Sequence, residues 1–97
     1  MPLDRLTTTI KRPWLAEIIA GTKKIEYREI KPYWRDRLAQ VKVPFELRLI
    51  NGIQRHAPEV TVLISKVKKD TRNGVYELHI RKVLSFMNWD RSRSARR

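Results

Sequence analysis

The sequence contains no cysteine, little glycine and few acidic residues. Its 97 residues include no Cys, three Gly, and ten Asp or Glu against 22 Lys or Arg. The absence of cysteine excludes disulfides and thiolate–zinc sites, and it is consistent with the cytoplasmic location that we expect. No apolar run approaches the roughly 20 residues that span a membrane. No long basic stretch has an apolar face at helical spacing either, so we expect nucleic acid rather than an anionic membrane surface as the partner. Phosphate-binding loops, dinucleotide fingerprints and the G-x-S-x-G elbow are also absent, which excludes the enzyme classes that depend on them.

The chain is strongly basic, with a net charge of +12. An excess of this size on a small domain favours a polyanionic partner, of which RNA is our first candidate and DNA the second. Residues 91–97 carry four arginines and no acid, so residues 1–90 keep +8 of the +12. We therefore predict one folded domain over residues 1–90 and a basic, disordered tail over residues 91–97. Arg91 and Arg93 of this tail either contact phosphates or only keep the end of the chain solvated.

Hydrophobic periodicity predicts an α+β domain. Alternation of apolar and polar side chains indicates strands, and an apolar stripe repeating every three to four residues indicates a helix. The predicted strands are residues 6–11, 24–30, 45–50, 60–67 and 75–86, and the predicted helices are residues 13–20 and 32–40. Short turns between the later strands favour a closed or nearly closed small barrel that the helices plug or flank, because closure removes exposed sheet edges.

The most specific pattern lies between the first and second predicted strands. Residues 11–13 (Lys-Arg-Pro) end the first strand, an amphipathic helix follows, and residues 21–23 (Gly-Thr-Lys) lead into the second strand. Lys23, Glu26 and Arg28 then form a K-x-x-E-x-R pattern, in which Glu26 and Arg28 share one face of the strand. A carboxylate between two cations can hold both in place and present rigid donors to a phosphate or a base edge. A surface ladder of ion pairs without a ligand is the alternative.

This arrangement resembles the ASCH domain family of the PUA-like superfamily. Members of that family show a strand that ends in Lys-x-Pro, an amphipathic helix, and then the pattern G-x-K-x-x-E-x-R. The resemblance is strong over residues 6–34 and architectural over residues 44–86. It implies a small PUA-like β-barrel of five to six strands with two short flanking helices. It also implies a cleft beside the first helix that binds RNA or a nucleotide-like ligand.

The resemblance further implies which residues serve this cleft. The residues of the pattern that we expect to contact nucleic acid are Lys11, Arg12, Lys23, Glu26 and Arg28. Trp34, near the end of the pattern, either lines the cleft as a further contact or packs in the core. Arg91 and Arg93 of the tail are expected contacts because of their charge rather than because of the resemblance. Some members of the family are ribonucleases, and others are amidohydrolases that remove acyl groups from N4-acylated cytidine. A hydrolase of one of these two kinds is therefore the alternative to an RNA-binding module. In that case Lys23 and Glu26 are the expected catalytic residues, although the acylcytidine hydrolases carry threonine at the position of Glu26.

The remaining aromatic and histidine residues give weaker indications. Trp14 belongs to the apolar stripe of the first helix and Tyr27 alternates with polar residues, so both are predicted to face the core. Trp89, beside the arginine-rich tail, is a candidate for base stacking. His56 and His79 do not have the spacing of metal ligands, so we predict no metal site, and no motif implies a cofactor. A basic face that docks an acidic protein is a third possible function.

Overall fold

The predicted strands and helices form at nearly the expected positions in the computed structural model, which describes residues 2–89. In chain order the elements are β1 (Arg5–Thr9), α1 (Arg12–Ala20), β2 (Ile25–Glu29), α2 (Pro32–Leu38), β3 (Phe45–Ile50), β4 (Glu59–Asp70) and β5 (Val75–Met87). The predicted α+β class is therefore confirmed. Neither helix within residues 2–89 is long and apolar enough to cross a membrane.

All five strands of the described residues join one sheet in the order β1-β3-β4-β5-β2. β1 runs parallel to β3, with Arg5 opposite Glu46, and the other three pairs are antiparallel. The sheet curls into a half-barrel whose free edges are β1 and β2. Within residues 2–89 no ladder joins these two edges, so the barrel predicted from the short turns is open on one side. We refer to the gap between the edges of β1 and β2 as the seam.

Arginine side chains cover the free edge of β1. The carbonyl oxygens of Thr7 and Thr9 lie two residues apart, so they point to the same side of the strand. Thr7 O accepts a hydrogen bond from Arg37 Nη2 at 2.6 Å, and Thr9 O accepts one from Arg28 Nη2 at 2.9 Å. A free strand edge carries unpaired carbonyls, so these guanidinium groups supply the donors that a neighbouring strand would provide. Side chains of α2 and β2, rather than a ladder, therefore satisfy this edge.

The β4–β5 hairpin is longer than the sequence predicts. β4 continues to Asp70 and β5 to Met87. The predicted polar turn is shortened because Lys68 pairs with Glu77 in the ladder. Register shifts interrupt this ladder at three places within residues 61–66 of β4. Such bulges bend a strand and increase its twist, which accounts for the curl of the sheet.

The core lies between α1 and the inner face of the sheet. Leu15 and Ile18 of α1 are almost completely buried. They belong to one apolar cluster with Leu47 of β3, Val62 of β4 and Leu78 of β5. Burial of a side chain of this size contributes about 1.5–3 kcal/mol, so these contacts hold α1 against the sheet. The first helix is thereby a fixed support for the residues at its two ends.

The end of α1 directs the chain back towards β2. A proline within its first turn suits the start of the helix, because that position needs no N–H donor. The helix ends at Gly21, whose φ of 85° is the left-handed conformation that glycine adopts without strain. The backbone N–H of Gly21 donates to Ile18 O, and that of Lys23 donates to Glu17 O, both at 3.1 Å. These bonds fix the turn and place Lys23 at the start of β2.

Candidate functional site

A pocket of about 590 Å³ opens at the seam, beside α1. This volume lies within the range of about 300–1,000 Å³ that is typical of small-molecule sites in proteins. One wall comes from the end of β1 and the start of α1, and the other comes from β2 and the turn before it. The lining residues are Thr9, Ile10, Lys11, Trp14, Lys23, Glu26, Tyr27 and Arg28. Both halves of the sequence pattern therefore meet in one pocket.

Glu26 is the acidic residue of this pocket, and only 5% of its surface is exposed. It pairs with Leu78 of β5 in the ladder, on the inner face of the sheet. Its Oε1 lies 3.5 Å from Lys23 Nζ, and its Oε2 lies 2.5 Å from Arg28 Nη2. A buried carboxylate needs such partners, because withdrawing an ion from water costs several kcal/mol. The structure thus brings together the carboxylate and the two cations of the K-x-x-E-x-R pattern.

Arg28 is held from three directions. Its Nη2 donates to Thr9 O on β1 and to Glu26 Oε2 on its own strand. Its guanidinium carbon lies 5.2 Å from the centre of the Trp34 ring. A planar guanidinium can stack on a ring while its edge donates hydrogen bonds, and a lysine ammonium cannot do both. Arg28 therefore joins the two walls of the pocket and has little freedom to move.

Lys23 extends across the mouth of the pocket between two aromatic rings. Its Nζ lies 5.2 Å from the ring centre of Trp14 and 5.3 Å from that of Tyr27. Only 12% of its side chain is exposed. Cation–π attraction and the ion pair with Glu26 together hold the ammonium at this place. The ammonium can move without disturbing the backbone, because it is carried on a flexible four-carbon stem.

Trp14 and Tyr27 are half-exposed, whereas the sequence predicted both in the core. Their exposed fractions are 47% and 51%. Successive side chains of a strand point to opposite faces, so Tyr27 faces outward because its neighbour Glu26 faces inward. Trp14 lies in the first turn of α1, beyond the part of the apolar stripe that is buried. The two misassigned rings supply the pocket with aromatic surface.

Trp34 lies in the core and does not line the pocket. It is 8% exposed and packs edge-to-face with Tyr33, with ring centres 5.7 Å apart. α2 turns this ring inward beneath Arg28, as the packing alternative for Trp34 expects, and contact of Trp34 with nucleic acid stays a prediction. Its contribution to the site is to support the guanidinium.

The other predicted contacts lie at the rim of the pocket or beyond it. Lys11 is exposed and lines the pocket. Arg12 does not line it, and its guanidinium carbon lies 4.6 Å from the centre of the Trp89 ring. Trp89 packs partly against the core, so this pair anchors the end of β5 beside the start of α1. Arg91 and Arg93, and the predicted disorder of the tail, lie outside the described residues.

The pocket carries an excess of positive charge. Lys11, Lys23 and Arg28 contribute three cations, and Glu26 contributes one carboxylate. The walls exclude part of the solvent, so these charges act on a ligand more strongly than charges on an open surface. This balance suits an anionic ligand that also offers donors to a carboxylate.

Ionisable groups away from the pocket form structural pairs. Arg48 of β3 donates two hydrogen bonds at 2.7 Å to Glu59 of β4. These bonds lower the pKa of the Glu59 carboxyl. His79 lies 3.1 Å from Glu77 on β5. Across residues 2–89, no group of three or more histidine or acidic side chains is placed to hold a metal ion.

Comparison with known proteins adds no assignment. No protein-family model matches the chain, and searches of curated proteins and of solved structures found no significant match. The open half-barrel agrees with a small barrel-like fold, and the finer PUA-like assignment stays a prediction. The resemblance to the ASCH family rests on the sequence pattern, and the structure adds that this pattern lines a pocket.

Besides the ring of Tyr27, sequence reasoning missed two contributors to the pocket. The first is Thr9 O, a backbone acceptor that no side-chain pattern indicates. The second is the ring of Trp14, which helical periodicity assigned to the buried stripe. A signal for Trp14 was its place immediately after Pro13, in the first turn, where a side chain is less enclosed by the rest of the helix. The pocket is therefore more aromatic than the sequence indicated.

Proposed function

We propose that this chain is an ASCH-type, PUA-like domain that binds RNA by holding a nucleotide or phosphate in the seam pocket. The observation that carries the proposal is the convergence of Lys11, Lys23 and Arg28 on one pocket, around the buried Glu26. Cations on separate elements meet there only because the sheet curls. A surface ladder of ion pairs would not require a pocket.

The arrangement favours a nucleotide over a simple anion. Positive groups attract the phosphate, and the half-exposed rings of Trp14 and Tyr27 offer surface on which a base can stack. Single-stranded RNA presents unstacked bases that can enter such a pocket, whereas a duplex does not. The net charge of +12 adds attraction to any polyanion around this specific site.

Salt-dependent RNA binding tests this proposal. Affinity for a fluorescent single-stranded RNA of about ten nucleotides is measured by anisotropy between about 50 and 300 mM KCl. We expect log Kd to rise linearly with log salt concentration, with a slope of about 0.7 for each phosphate that is neutralised. The same oligonucleotide made as DNA measures the contribution of the 2′-hydroxyl groups.

A pair of matched lysine variants separates the pocket from the general charge. Lys23→Ala removes a cation from the pocket. Lys42→Ala removes a cation from an exposed position far from the pocket. Lys42 lies beside Asp4, just before the start of β1, whereas the pocket lies at the end of β1. We expect Lys23→Ala to weaken binding by about tenfold, and Lys42→Ala by no more than about twofold. Equal losses would show that only the overall charge attracts RNA, and the pocket proposal would be wrong.

The hydrolase alternative uses the same residues in a different role. It places Lys23 and Glu26 at a catalytic centre for cleavage of RNA or of N4-acylated cytidine. The ammonium of Lys23 is engaged by Glu26 and by two rings, and a nucleophilic amine needs a free lone pair. Labelled RNA and N4-acetylcytidine are incubated with the protein and with Lys23→Ala. Product that forms only with the unmodified protein would favour the hydrolase.

A further inference from the structure

We propose that the seam pocket selects guanine among the nucleobases, with Glu26 as the acceptor that reads it. This inference rests on the proposed RNA-binding function and names the ligand chemistry of the same site. Three features of the pocket carry it: unused acceptor capacity on a buried carboxylate, an ammonium on a flexible stem beside that carboxylate, and half-exposed rings at the mouth.

The first feature is the acceptor capacity of Glu26. An ionised carboxylate accepts only, and its two oxygens together offer about four lone-pair positions. Lys23 and Arg28 each occupy one, and the contact with Lys23 is long at 3.5 Å. About two positions therefore remain for a ligand. A phosphate cannot use them, because it also carries only acceptors and a negative charge.

The second feature is the place that Lys23 occupies. Its ammonium lies over the rings of Trp14 and Tyr27, where a base would stack. The two cation–π contacts contribute about 0.5–1 kcal/mol each, whereas base–aromatic stacking contributes about 1–3 kcal/mol per base and the displaced ammonium gains a hydrogen bond to the ligand. A base can therefore displace the ammonium from the rings. The displaced lysine stays within reach of the ligand, because its stem starts at the mouth of the pocket.

Among the bases, guanine has the edge whose donors and acceptors match these groups. Guanine presents two adjacent donors, N1–H and the N2 amino group, beside the acceptor O6. The donors pair with the two oxygens of Glu26, and O6 accepts from Lys23, so every group finds a partner. Uracil places a carbonyl oxygen on each side of its one donor, so it sets acceptors against the carboxylate. Adenine and cytosine offer an amino group but place a ring nitrogen acceptor next to it.

Inosine isolates the decisive contact. It differs from guanosine only by the absence of the N2 amino group. Short RNAs that differ at one central position (G, inosine, A, C or U) are titrated against the full chain at a single salt concentration. We expect the RNA with guanine to bind about tenfold more tightly than the one with inosine, because a site built for a donor discriminates against a ligand without it. We expect the weakest binding with uracil.

Two variants test the assignment to named groups. Glu26→Gln keeps the shape of the side chain and exchanges one acceptor oxygen for a donor. The ratio of the affinities for guanine and inosine should therefore fall from about ten to about one, which is no preference. Trp14→Leu alters a half-exposed ring, so it should weaken binding of all five RNAs by a similar factor and leave the salt slope unchanged. Thermal unfolding confirms that each variant is folded before titration.

The outcomes separate this inference from the proposed function. Equal affinity for all five RNAs, with binding that still depends on salt and on Lys23, would overturn the inference and leave RNA binding intact. Failure to bind any of the RNAs would overturn both. The comparison of guanine with inosine uses the unmodified protein, so it decides the matter even if Glu26→Gln does not fold. A preference for guanine that persists in a folded Glu26→Gln variant would assign the selection to another group and refute the proposal.

Discussion

Replacing Arg28 with lysine should destabilise the protein although the net charge stays at +12. The guanidinium donates to Thr9 O at 2.9 Å and pairs with Glu26, while its plane lies near the ring of Trp34. A lysine ammonium can keep the ion pair with Glu26. It cannot also reach Thr9 O and stay close to the ring of Trp34, so Arg28→Lys removes the contact that crosses the seam.

The magnitude follows from the two contacts that are lost. A hydrogen bond from a charged donor contributes about 1.5–3 kcal/mol, and we take the lower value because 18% of the Arg28 side chain is exposed. The stacking on Trp34 adds about 0.5–1 kcal/mol. The sum is about 2 kcal/mol, a large share of the roughly 5–15 kcal/mol that stabilises a typical domain. With a urea dependence of about 1.3 kcal/mol per molar, the unfolding midpoint should fall by about 1.5 M.

Urea unfolding followed by tryptophan fluorescence measures this shift. Arg35→Lys is the matched control, because Arg35 has a side chain that is 64% exposed and forms an ion pair with the equally exposed Asp36. An exposed pair contributes little, so the control should move the midpoint by less than about 0.3 M. If Arg28→Lys shifts the unfolding midpoint no more than the Arg35→Lys control does, the idea that Arg28 holds the seam together would be refuted.

Two further predictions concern the sheet and the end of α1. Hydrogen bonds from Arg48 hold the pKa of Glu59 below its usual value of about 4.5. The pair therefore contributes fully above that value and is lost as pH falls through the lowered pKa. Between about pH 5 and pH 3 the melting temperature should fall more steeply in the unmodified protein than in Glu59→Gln, and parallel profiles would contradict this. Gly21→Ala forces a φ of 85° on alanine without a clash, because no atom lies within 4 Å of the added Cβ. We expect a loss of about 1 kcal/mol, or about 4–8 °C in the melting temperature. An unchanged melting temperature would mean that the turn after α1 relaxes.

The periodicity of the sequence predicted the helices and strands, but not which face of β2 lies on the inside of the sheet. Alternation divides Glu26 and Tyr27 between two faces, and a rule that places apolar residues inside assigns Tyr27 to the core. The structure has the opposite arrangement, since the inner face of β2 borders the pocket and Glu26 is satisfied there by two cations. The local pattern contains the two cations that make a buried carboxylate tolerable, but it does not indicate which face of β2 lies inward, because that depends on the pocket that β2 forms with β1 and α1. The whole fold therefore determines which face of an edge strand lies beside a pocket.

The sequence also did not indicate that the barrel is open between β1 and β2. A closed or nearly closed barrel was expected, because closure removes exposed sheet edges. The edge of β1 is satisfied instead by Arg28 and Arg37, two arginines among many in a basic chain. The K-x-x-E-x-R pattern singles out Arg28 as a pocket residue, but nothing in the local sequence indicates that Arg28 or Arg37 donates to the edge of β1. Parallel pairing of β1 with β3 joins residues 41 positions apart, such as Arg5 and Glu46, and such a register leaves no local signal.

The strand order has a mechanical consequence for the pocket. Its two walls belong to the first and last strands of the order β1-β3-β4-β5-β2, so the aperture between them depends on the curvature of the three strands that intervene. The register shifts within residues 61–66 of β4 bend the middle strand of this order. We expect further bending there to open or narrow the pocket without any change in its lining. A ligand that spans β1 and β2 completes the circumference of the barrel and damps this breathing motion, so hydrogen exchange should slow at the bulges as well as at the pocket.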